Sequence, residues 1–189
     1  MLAAVLLASA TVFFQPVDAS TTSQPAQVFV HDAAAQALPG DGGHDFGLRP
    51  AADNDTDAAP LYNAHGDPIK ALLGTWRSAQ GTAAFDPTPQ GLRVRTSFHG
   101  LIPNGRYSLF VRQLAVRTAP VFTPLDLAGA QNSFTADPQG NAELAVVTPL
   151  QLPPGAQLVA FYHSDNADHQ SSLGNPGVNV HAQLIVRIP

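Results

Sequence analysis

The sequence predicts an all-β fold: an antiparallel β-sandwich, Ig-like or jelly-roll, of about eight strands. Three observations carry this. Apolar and polar residues alternate with a period of two through much of residues 68–189. Seventeen prolines and fifteen glycines recur at spacings that break helices. Turn-forming residues separate the alternating runs at hairpin lengths.

Taken in order, the chain opens with an apolar run over residues 1–14, MLAAVLLASATVFF. It is too short for a membrane anchor. Val17-Asp18-Ala19 places small residues before a cleavage point after Ala19, so residues 1–19 read as a secretory signal peptide, although Lys and Arg are absent from it. The alternative for this run is a buried strand or helix. No second apolar run of about 18 residues follows, so the expected mature chain has no transmembrane anchor and is secreted, periplasmic or extracellular.

Residues 20–67 read as an acidic low-complexity linker, with seven aspartates and one base, Arg49. Gln27–Val30 is a short strand that suits a sheet edge. Asp53-Asn54-Asp55-Thr56-Asp57 matches the opening of a calcium loop. Ala58 then stands where glycine is needed, and Ala64 where the bidentate acid is needed. A solvated acidic linker is the simpler reading. Asn54-Asp55-Thr56 is also a glycosylation sequon in a eukaryotic host.

Residues 68–189 form the expected β-sandwich domain. In Leu92–His99, Leu92, Val94 and Phe98 share one face, and Arg93, Arg95, Ser97 and His99 the other. Tyr107–Leu114, Glu143–Val147 and Leu158–His163 are further strands, as are Leu72–Arg77, Thr82–Phe85 and Asn132–Ala136. Val178–Ile188 is the longest, with Val178, Val180, Ala182, Leu184, Val186 and Ile188 on one face. Pro103-Asn104-Gly105 suits a turn with positive φ at its last two positions. Residues 86–91 and 137–141 are hairpin-length turns.

Three stretches carry a resemblance: Gly100–Leu109, Asn132–Asp137 with Gly140, and Leu158–His169. Together they resemble a group of secreted bacterial β-sandwich domains with a GL-P-x-G-x-Y turn, an SF-x-AD-x-x-G hairpin and a YH-x-D-x-x-x-H loop. The resemblance spans roughly residues 71–188. It implies fold and export, and no activity. Where the group has glycine after the second histidine, this chain has Gln170.

Composition excludes several functions. The net charge of −5 argues against nucleic acid as a partner. The absence of cysteine rules out disulfides, thiol nucleophiles and cupredoxin-type copper sites. The histidine-rich strand of copper–zinc superoxide dismutases is absent too. Glu143 is the only glutamate and has no evident carboxylate partner for glycoside hydrolysis. No glycine-rich phosphate loop follows a strand. Ser164, His163 and Asp165 make a triad only on paper, because neighbours on a strand point oppositely.

The candidate site lies near the C-terminus. His163, Asp165, His169 and His181, with Asp168 beside them, gather three of the seven histidines into nineteen residues. Imidazoles beside carboxylates suit zinc or copper, and copper would bring redox chemistry. His163 and His181 share a face if Leu158, Ala160 and Tyr162 join Val178, Val180 and Ala182 in the core. If Val159, Phe161 and His163 face inward, the two histidines part. The plainer alternative is that these residues shape and solvate a loop. Trp76, Phe110, Phe161 and Tyr162 would serve a carbohydrate-binding module as a stacking platform if exposed, and a core if not. The expectation is an exported non-catalytic module of the cell envelope or extracellular space, with polysaccharide among its candidate partners. Metal binding and carbohydrate binding are the alternatives.

Overall fold

In the computed structural model, residues 9–17, 28–32, 47–113 and 121–188 are described. In chain order they form β1 (Ala10–Phe13), β2 (Gln15–Pro16), β3 (Phe29–His31), β4 (Leu48–Pro50), β5 (Pro60–Tyr62), β6 (Pro68–Leu72), α1 (Leu73–Arg77), β7 (Gln80–Thr88) and β8 (Gly91–His99). There follow β9 (Arg106–Gln113), β10 (Val121–Pro124), β11 (Ser133–Thr135), β12 (Ala142–Thr148), β13 (Gln157–His163) and β14 (Val180–Arg187). The first sheet runs β1-β7-β8-β12. The second runs β10-β9-β13-β14-β2, with β11 also on β9. The third runs β4-β3-β5-β6. These strands pair antiparallel, as the alternation predicts.

The two larger sheets share one core. Ala83, Phe85, Val94, Phe98 and Val146 come from the first sheet; Tyr107, Leu109, Val111, Leu158, Ala160 and Leu184 come from the second. This is the expected all-β sandwich. The chain shuttles between its layers: β8 hands over to β9, β12 returns beside β8, and β13 goes back beside β9. In β8, Val94 and Phe98 are buried while Arg93, Arg95 and His99 are exposed. In the turn before β9, Asn104 alone takes a positive φ, of 56°. Gly105 is needed for space instead: a Cβ there would lie 2.8 Å from the Ile102 carbonyl oxygen.

Two expectations change in the fold. Leu72–Arg77 is not a strand: Leu73–Arg77 is a single helical turn. Leu73 and Trp76, three residues apart, are its buried side, which is helical spacing. The reading of residues 20–67 as linker fails for 28–32 and 47–67. Val28, Val30, Ala51 and Leu61 join the main core. Arg49 holds both Asp32 (2.9 Å) and Asp55 (2.6 Å), and Arg77 reaches Asp57 at 2.9 Å. Of the three aspartates that resemble a calcium loop, Asp55 and Asp57 are thus engaged by guanidinium groups. The described part of the segment that reads as an export signal contributes edge strands. β1 pairs with β7, β2 pairs with β14, and Phe14 between them is 3% exposed against the Phe98 ring. Residues 1–8, the cleavage point after Ala19 and Gln27 lie outside the described residues.

A β-bulge decides which way the last strand faces. Ala160 lies opposite Leu184, but Phe161 lies opposite Ala182, so Gln183 is the extra residue. The six apolar residues expected on one face are therefore split. Leu184, Val186 and Ile188 face the main core, while Val180 and Ala182 pack with Phe110, Val159 and Phe161 in a second cluster. Gln183 is fully buried and structurally used. Its amide oxygen accepts the Tyr107 hydroxyl at 2.7 Å, and its nitrogen donates to the Trp76 carbonyl at 3.0 Å.

Candidate metal centre

His163 closes β13, opposite Arg106 on β9 and Val180 on β14. Alternation places it on the face of Phe161 and Val180, under the loop of residues 164–179, and it is 1% exposed. Its Nε2 lies 2.7 Å from the Ser108 hydroxyl oxygen. Its Nδ1 is buried and makes no hydrogen bond.

The loop brings two further groups to this imidazole. Asp165 Oδ2 and His169 Nε2 are 3.0 Å apart. One donor atom from each of His163, Asp165 and His169 lies within 4.8 Å of the others. The two imidazole rings are 5.0 Å apart, centre to centre. Local hydrogen bonds build this shape. Asp165 Oδ1 accepts the Ala167 N–H, the His163 carbonyl accepts the Asn166 N–H, and Asn179 Nδ2 donates to Asp165 Oδ2 at 2.8 Å. Asp168, next to His169, pins the loop to the sheet through Arg106 and through the Ser133 hydroxyl at 3.0 Å.

The electrostatics suit a cation. Burial, with the neighbouring His169, pushes the His163 imidazole down to about 4, so it is neutral at physiological pH. Burial raises Asp165, but bonds from the Ala167 N–H, Asn179 and His169 outweigh it and hold the carboxyl below its ordinary range. Two imidazoles and a carboxylate are a borderline-metal donor set, matched to zinc or copper(II) and not to calcium. Tetrahedral zinc bonds of roughly 2.0–2.1 Å put ligand atoms about 3.3–3.4 Å apart, so a pair 4.8 Å apart would have to close by about 1.5 Å.

His181 does not belong to the set. It lies opposite Tyr162, so its side chain is on the other face of the sheet from His163. There it is fully buried, with its ring 6.4 Å from both Trp76 and Tyr162, and its Nε2 lies 3.1 Å from the Ser164 hydroxyl oxygen. The paper triad also dissolves: Ser164 meets His181, whereas His163 meets Ser108. The four rings considered for sugar stacking, Trp76, Phe110, Phe161 and Tyr162, are all buried and form no exposed platform. Sequence reasoning missed Ser108 and the full part of Asn179. Both are brought in by pairing across strands and the loop, which no local motif encodes.

Fold and loop together define an all-β sandwich domain with a two-histidine, one-carboxylate cluster at the end of β13. Compared with known proteins, the chain matches no family model, no curated protein and no solved structure. Among the described residues no helix is long and apolar enough to cross a membrane.

Proposed function

We propose that this chain is an exported, non-catalytic β-sandwich module that binds zinc or copper(II) through His163, Asp165 and His169. One observation carries the reading. His163 Nδ1 is buried and without a hydrogen bond, and its imidazole gathers with two groups of ligand type. A buried polar atom without a partner is costly, and a bound cation would satisfy it. Asp165 and His169 are partly exposed, which leaves a route for the ion.

Calorimetric titration of zinc and copper(II) into the purified chain tests this, at pH of about 7.5 and about 5.5. Binding is expected at the higher pH, weaker at the lower, and lost in His163→Ala. His181→Ala should retain it if it folds. Equal heats for parent and His163→Ala would sink the reading.

A further inference from the structure

Ser108 is a polar residue in an apolar place. It is 2% exposed, lies opposite Phe161 on the neighbouring strand, and directs its hydroxyl at His163 Nε2. A neutral imidazole carries one N–H and one lone pair, so whichever nitrogen holds the proton decides which can ligate. If Nδ1 held it, that N–H would be buried with no acceptor. If Nε2 holds it, Ser108 accepts it and Nδ1 keeps a free lone pair on the imidazole that gathers with Asp165 and His169.

We infer that Ser108 is the positioning residue of the metal centre: its hydroxyl oxygen accepts the His163 Nε2–H and so presents Nδ1 to the ion. The inference rests on the metal-binding reading above. Histidine ligands commonly donate their second N–H to an outer partner that fixes tautomer and ring orientation. Here the partner is on β9 and the ring on β13, so the ladder between the two strands sets the aim. Asp168 and Arg106 secure the loop that carries His169, whereas Ser108 acts on the buried ligand itself.

Two measurements on the full chain test it. Nitrogen-15 NMR of the imidazoles in the metal-free protein should show His163 as the Nε2–H tautomer; the Nδ1–H tautomer would overturn the inference. Zinc titration of Ser108→Ala should show affinity about 10- to 100-fold below the parent, recovered in Ser108→Thr. Unchanged affinity in a folded Ser108→Ala also overturns it. If that variant does not fold, the tautomer in the parent decides. Failure of the parent to bind zinc or copper(II) refutes the metal reading, and the role of Ser108 toward an ion with it. The wrong tautomer in a chain that does bind refutes Ser108 alone.

Discussion

Gln170 follows His169 at a φ of 53°, in the left-handed region that favours glycine. Its N–H is held by Asp168 Oδ1 at 3.0 Å, and Gly129 packs against its backbone so closely that a Cβ on Gly129 would lie 2.5 Å from the Gln170 carbonyl carbon. Left-handed backbone costs a residue with a Cβ about 1–2 kcal/mol. Gln170→Gly should therefore raise stability by about 0.5–1 kcal/mol after its own entropy cost, and Gln170→Val should lower it by at least about 1 kcal/mol. Urea midpoints check this; a lower midpoint for Gln170→Gly would mean that the loop does not impose the conformation. Asp55 allows a pH prediction at the same scale. The bidentate bond from Arg49 lowers its carboxyl to about 2, against an ordinary 3.8. Its contribution is complete above the unfolded value and is lost as pH falls from about 4 through about 2. Asp55→Asn should remove that contribution at neutral pH and flatten the acid limb in this window. An unaltered limb in acid denaturation curves would contradict the pairing.

At the scale of the element, the bulge in β14 is the decisive feature. Without it Val180, Ala182 and Leu184 would share one face; with it Leu184 reaches the main core and Val180 the second cluster. Leu184 is fully buried, whereas Ile185 is only partly covered on the other face. Leu184→Ala should cost about 2–5 kcal/mol and Ile185→Ala clearly less. Denaturant titration of both variants tests the register; equal losses would mean that β14 is sealed equally on its two sides. The bulge also sets the site. It holds His181 and Gln183 toward Tyr107, Tyr162 and Trp76, and leaves His163 on the opposite face with Ser108.

At the scale of the molecule, the N-terminal residues raise a question of processing. β1 and β2 extend one edge of each large sheet, and Phe14 fills core space between them against Phe98. Cleavage after Ala19, expected from Val17-Asp18-Ala19, would remove all three. Loss of a buried phenylalanine costs about 3–5 kcal/mol. A chain beginning at Ser20 should therefore unfold at lower denaturant than one beginning at Met1. Coincident curves would mean that residues 10–17 add nothing to the core. The third sheet belongs to the same body, because Leu61 and Ile69 sit in the main core and Asn63 donates to the Val178 carbonyl at 3.0 Å. Through that bond the acidic segment braces the loop that holds the candidate ligands.

The β class, the alternation in β8, the hairpin turn at residues 86–91 and the presence of ligand-type residues near the end of the chain are legible in the residues alone, whereas residues 137–141 form a turn between two sheets and not a hairpin. The former are local properties: side chains alternate along a strand, and turns need particular backbone angles, whatever lies elsewhere. The rest depends on how the strands pair and pack. His181 is excluded from the cluster by a one-residue bulge, because in a strand a single added residue reverses every face beyond it. Asp53, Asp55 and Asp57 look alike in the sequence, and which of them meets Arg49 or Arg77 depends on how β4 and α1 are placed. Ser108 lies 55 positions from His163 and meets it only because β9 and β13 pair. A strand partner is chosen by the packing of the whole core, and that choice leaves no mark in either strand taken alone.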